Sequence, residues 1–176
     1  MKRQIVISSI VAIFSLAIFA CDKNEDSKPV TGDVELYLLE SYETVGNTCQ
    51  IDETTVAIKQ SALVSYSDFI SYNSKEYIFE ISDKSKEAIQ DLEHSVQGIA
   101  FAIMADNKLI YTGYFWPCYS SAICNWVVTD PTSLLMSNEL RISLRYPGPS
   151  QGVVIPDNRN DKQILDIFRR DGKLLE

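Results

Sequence analysis

Histidine is almost missing from this chain, with His94 the only one among 176 residues. A metal site built from several histidines is therefore excluded, and any serine or cysteine nucleophile would have to use that one ring as its base. Glycine and proline are sparse, at seven and six residues, which is not the composition of a disordered or fibrous chain. Basic residues are outnumbered, 16 against 24 acids, for a formal charge of −8. That balance repels nucleic acid and anionic lipid headgroups, so a nucleic-acid partner is not expected. No internal repeat is visible, and neither a cofactor nor a metal is expected.

The one long apolar run is Ile5 to Ala20, sixteen residues that follow Lys2 and Arg3. As a helix it would reach about 24 Å, against a hydrocarbon core of roughly 30 Å. A positive start followed by an uncharged apolar stretch is the layout of an export signal. Ordinary cleavage after Ala20 would place Ile18 where a small residue is wanted. Ile18-Phe19-Ala20-Cys21 instead resembles the lipobox of bacterial lipoproteins, in which an aliphatic, a tolerant and a small residue precede the lipidated cysteine. The resemblance implies cleavage before Cys21, acylation of that cysteine and the lipid bilayer as a partner, since two acyl chains already anchor a protein stably. Cleavage there removes two basic residues and no acid, which makes the mature chain more acidic still.

Three regions are expected: a lipoprotein signal over 1–20, a flexible tether over 21–32 and one globular domain over 33–176. Asp22 to Gly32 holds almost no apolar residue and would span at most about 40 Å when extended. Its acids directly after Cys21 resemble the signal that sends some Gram-negative lipoproteins to the outer face of the outer membrane. A plain solvated linker remains the alternative.

Within the domain, strands are expected at Val34 to Glu43, near Thr54 to Lys59 and at Glu76 to Ser82, with one helical turn around Tyr66 to Ile70. Ser82 and Asp83 offer caps for a helix reaching about Val96, with Ala88, Ile89, Leu92 and Val96 inward and Gly98 as its stop. Ile99 to Ala105 and Leu109 to Trp116 read as a hairpin around Asp106-Asn107-Lys108. Strands at Trp126 to Thr129 and Leu140 to Tyr146 precede a last helix from Asp161 to Asp171, ended by Gly172. The expectation is an α+β domain, a mainly antiparallel sheet with one or two helices packed on one face.

Residues 77–116, with the helix start Ser82-Asp83-Lys84-Ser85 and the hairpin Gly98 to Gly113, resemble the strand-helix-hairpin unit of the periplasmic head of the export factor SecD. The mature region, with Tyr111 to Trp116, Arg145-Tyr146-Pro147-Gly148 and the basic last helix, is similar to a group of uncharacterised bacterial lipoproteins. The first resemblance implies a role in secretion or envelope assembly, and the second adds no activity.

Cys49, Cys118 and Cys124 remain after lipidation, in an oxidising compartment. Cys118 and Cys124 bracket a short loop and are the preferred pair, with Cys49 bonded to either left open. Asp157 to Asp161 looks briefly like a calcium loop, but Arg159 and Lys162 stand at positions that need a ligand and a glycine. Six aromatics crowd residues 111–126, and Tyr114, Trp116, Tyr119 and Trp126 are candidates for a platform that holds a protein, peptide or glycan. Arg141, Ser143 and Arg145 share a strand face and could hold a carboxylate or phosphate, or form cross-strand ion pairs. No catalytic set is visible. The expected function is a non-enzymatic binding module anchored in the envelope, with an assembly factor or a hydrolase using Ser120, Ser121 or a cysteine as alternatives.

Overall fold

The computed structural model of the protein describes residues 29–148 and 154–176. The expected signal run, Cys21 and the tether through residue 28 lie outside the described residues. The strands are β1 (Val34–Thr44), β2 (Ile51–Ile58), β3 (Phe69–Asn73), β4 (Ile78–Ile81), β5 (Ile99–Ala105), β6 (Lys108–Phe115), β7 (Val128–Thr129), β8 (Glu139–Ser143) and β9 (Leu174–Leu175). They form one sheet in the order β2-β1-β5-β6-β7-β8-β4-β3-β9. All neighbours are antiparallel except β6 with β7 and β3 with β9. With two helices, α1 (Asp83–Gln90) and α2 (Lys162–Arg170), this is the expected α+β architecture.

Strand alternation sorts the side chains. Phe79 and Ile81 of β4, Phe101 and Ile103 of β5, Phe115 of β6 and Leu140 and Ile142 of β8 are buried on the face that carries the helices. Phe168 of α2 sits against Phe69, Tyr72 and Phe79, and Tyr72 stacks on Phe79 with ring centres 4.3 Å apart. The strong apolar stripe of α2, with Ile164, Ile167 and Phe168 buried, drives this docking. Asp161 caps its start through the Gln163 N–H, and Arg169 and Arg170 lie at its negative end.

The β5–β6 hairpin forms where expected. Asp106 and Asn107 both take positive φ, at 49° and 59°, the geometry of a tight turn whose twist matches the flanking strands. The N-terminal end of the domain lies beside this turn: Asp106 N donates to Asp33 O at 3.0 Å, and a Cβ on Gly32 would collide with Asp106.

Helix α1 is shorter than its sequence pattern suggests. It begins with Ser82 accepting from the Ser85 N–H and ends at Gln90 rather than near Val96. The reason is local: the ring Nε2 of His94 lies 2.9 Å from Ile89 O and takes a carbonyl that another helical turn would have used. Val96 is therefore exposed and not part of the core. The expected strands at 126–129 and 140–146 are trimmed to 128–129 and 139–143, because the segments beyond them turn to make loops.

Strand β1 serves two partners. Its first half pairs with β5 and its second with β2, and register shifts between Leu39 and Glu43 mark bulges that bend the strand. The bend carries the β1–β2 hairpin over the sheet face opposite the helices. There Glu53 Oε1 accepts from Thr112 N at 2.9 Å and Thr112 Oγ1 at 3.1 Å. The position is one that β7, only two residues long, does not reach.

Candidate functional site

The loop that follows β6 is built on two anchors. Tyr146 pairs its backbone with Cys124 in both directions, and its hydroxyl donates to Cys118 O at 2.6 Å and Ser120 O at 3.2 Å. Asp130 caps a single helical turn, Pro131–Leu135, through Thr132 N and Oγ1, and the same Oδ1 accepts from Cys118 N. Ser120 Oγ donates to Val96 O at 2.6 Å, which ties the loop to the segment after α1.

The disulfide differs from the preferred pairing. Cys49 is bonded to Cys124, with Cα atoms 5.6 Å apart, and Cys118 is an exposed free thiol. Cys118 Sγ lies 3.3 Å from Thr132 Oγ1, so its side chain is turned toward the Pro131–Leu135 turn. The bridge fastens the turn between β1 and β2 to the loop after β6. Sequence spacing favoured the short Cys118 to Cys124 loop, but it could not register that the bend in β1 brings Cys49 over that loop.

The aromatic candidates separate. Tyr114 and Trp126 are core residues: Tyr114 packs edge-on against Trp116 and Tyr42, and Trp126 Nε1 donates to Thr112 Oγ1 at 3.0 Å. They are not part of an exposed platform, because the bent β1–β2 hairpin covers them, with Tyr42 on Tyr114 and Glu53 on the Thr112 that Trp126 contacts. Burial also raises the Tyr114 hydroxyl pKa, with the neighbouring Tyr42 adding to the shift. Trp116 is buried but lines a cleft, and Tyr119 is 61% exposed.

Two recesses flank the Pro131–Leu135 turn. One is an apolar groove of about 150 Å³ lined by Gln90, His94, Tyr119, Pro131, Thr132 and Leu135. Leu135 of its lining is exposed, as are the adjoining Met136, at 92%, and Ile123 in the loop after β6. The other is a cleft of about 290 Å³ whose walls include Trp116, Val128, Tyr146 and Pro147, with Asp130, Ser133, Arg141, Ser143 and Arg145 as its polar lining. The structure thus brings Trp116, Arg141 and Arg145 together and leaves Tyr119 on the far side of the turn. Tyr146-Pro147 is a cis peptide.

Arg141 makes the ion pair that cross-strand reasoning expects: its guanidinium donates to Glu76 Oε2 at 3.0 Å and Glu76 O at 3.2 Å. Both partners are more than half exposed, so this pair adds little stability. Arg159, in the segment that looked like a calcium loop, is instead held by Asp157 through Nε and NH2, with NH1 on Ile142 O and the Tyr77 ring 3.5 Å from Cζ. The Arg159 hydrogen bonds hold the Asp157 carboxyl below its usual range. Among the described residues no cluster of three histidine, cysteine or acidic side chains could hold a metal, and no helix is long and apolar enough to cross a membrane.

Residues 77–116 run strand, helix, hairpin as β4, α1, β5 and β6, with β4 separated from β5 across the sheet by β6, β7 and β8. No protein-family model matches the chain, and no curated protein or solved structure does either.

Proposed function

We propose that the protein is a binding module of the bacterial envelope, anchored at the outer membrane through an acylated Cys21 and possessing no catalytic activity of its own. The observation that carries the reading is the opposition of its two ends. Gly32, where the tether joins the domain, lies against the β5–β6 turn at Asp106. The exposed Tyr119, Ile123, Leu135 and Met136 lie beyond the other end of β6, eight residues along. At about 3.4 Å per residue the two ends are roughly 27 Å apart. A domain held by its lower end presents this upper surface, away from the lipid, to a protein, peptide or glycan.

The single histidine supports binding over reaction, because His94 Nε2 contacts the Ile89 carbonyl and Ser120 Oγ is committed to Val96 O. Two measurements test the reading. Metabolic labelling with a palmitate analogue should be lost in Cys21→Ser, and a labelled mutant ends the anchoring claim. A photocrosslinking residue at Tyr119 should capture one reproducible partner in intact cells, whereas the same residue at the exposed Lys75 should not. Equal capture at both positions, or none at Tyr119, overturns the binding surface.

A further inference from the structure

We propose that the cleft beside Trp116 is a binding site for a small organic carboxylate with a flat apolar body. The inference rests on the reading of this end of the domain as its binding end and adds a ligand class to it. Strand alternation produces the site: Leu140 and Ile142 of β8 enter the core, so Arg141 and Ser143 face the other way, and Arg145 lines the same cleft. Alternate strand residues stand about 7 Å apart, so Arg141 and Ser143 lie side by side on β8, and Arg145 adds a second positive group from the loop beyond. Trp116, Val128, Tyr146 and Pro147 give the apolar surface that would cover a ring.

Three details favour a carboxylate. A guanidinium carries five N–H donors in a fork that matches a carboxylate, and Glu76 accepts from two of the nitrogens of Arg141, NH1 and NH2. Trp116 is 96% buried, and its indole N–H has no hydrogen-bond partner. A buried donor without a partner is uncommon, and since Trp116 lines this arginine-bearing cleft, an acceptor supplied from outside the chain would satisfy it. The third detail is the pair of acids close by. Asp130 lines the cleft, although its Oδ1 already accepts from Cys118 N, Thr132 N and Thr132 Oγ1, and Glu76 sits on Arg141. These charges offset those of Arg141 and Arg145, so they oppose a polyanion. At about 290 Å³ the cleft is near the small end of ligand pockets and suits one ring with a short acid.

The test uses the full-length chain in detergent micelles, with isotope-labelled tryptophan. Only two indole N–H signals exist, from Trp116 and Trp126, and Trp116→Phe assigns them. Benzoate is the probe and benzamide its uncharged control. The Trp116 signal should shift saturably with benzoate and stay in place with benzamide, while the Trp126 signal is unmoved. Arg141→Gln, at a side chain 57% exposed, should weaken benzoate by about tenfold, the loss expected for one charge-assisted hydrogen bond, with an unchanged melting temperature. A linear response, an equal response to benzamide or insensitivity to Arg141→Gln overturns the site. Displacement of benzoate by an equal concentration of inorganic phosphate overturns the carboxylate assignment. Failure here with crosslinking at Tyr119 intact removes the ligand class alone, and a saturable benzoate shift without crosslinking removes the partner surface alone.

Discussion

Cys49 and Cys124, 75 positions apart, are covalently joined and fasten the β1–β2 hairpin across the sheet to the loop after β6. A loop of this length removes much of the freedom of the unfolded chain, and its loss in Cys49→Ala should cost about 4 kcal/mol. Peptide mapping of unreduced protein should find the Cys49–Cys124 linkage, and Cys118 should react with a thiol reagent in the native state. A Cys118–Cys124 peptide in its place would contradict the arrangement.

Trp126 and Tyr119 should respond to truncation in opposite ways. Trp126→Ala empties a buried site and removes the N–H that Thr112 Oγ1 accepts, so a loss of about 3–5 kcal/mol is expected. Tyr119→Ala, at an exposed ring, should stay within about 0.5 kcal/mol of the parent. Chemical denaturation of both variants decides, and a heavy loss at Tyr119 would make that ring a structural part of the loop.

Glu53 does the work of a missing strand residue, accepting from the backbone N–H of Thr112 where β7 does not extend. Glu53→Leu leaves that donor unpaired beneath the hairpin and should cost about 1–3 kcal/mol. Glu53→Gln keeps an oxygen acceptor and should cost less. The order of the two unfolding midpoints tests the assignment, since a role through charge alone would make them equal.

Asp171 gives a pH dependence of defined sign. Its carboxyl is lowered to about 2, chiefly by the Arg170 hydrogen bond and then by that of Tyr66. A lowered carboxyl contributes fully above the ordinary carboxylate range near 4, and the contribution is lost as pH falls toward about 2. Urea midpoints of the parent and of Asp171→Asn should therefore differ by a constant, small amount at neutral pH and converge at the acid end. Asp68 and Asp157 are also lowered, through Ser65 and Arg159, so the variant should keep some acid sensitivity.

Local signals made much of this legible in the sequence. The β5–β6 hairpin announces itself because two apolar runs flank a turn tripeptide, and α2 because Asp161, its apolar stripe and Gly172 act within one segment. Strand β3 was hidden in a mixed stretch, and β9 is two residues whose strand character exists only through β3 beside it. The limit of α1 escaped for a similar reason: Val96 fits the helical spacing, but a histidine ring ends the helix first. At the candidate site, the shared face of Arg141 and Ser143 follows from alternation alone, whereas Arg145 lies past the end of β8 and reaches the cleft from a loop. That Trp116 joins them while Trp126 does not depends on the bent β1 and on which neighbour each indole meets, and neither is local.

The pairing of β3 with β9 has a consequence in time. Tyr72 is matched to Leu174, and Lys173 O accepts from Tyr72 N at 2.9 Å, so one margin of the sheet waits for residues about a hundred positions downstream. A chain that crosses a membrane N-terminus first would bring out β1 to β8 with that margin still unpaired, and with Tyr72 and Phe79 lacking the ring of Phe168. Such distant closure slows folding and leaves a bare strand edge open to other chains. In a chain so exported, passage and folding would be ordered: the domain would complete itself only after nearly all of it had been delivered.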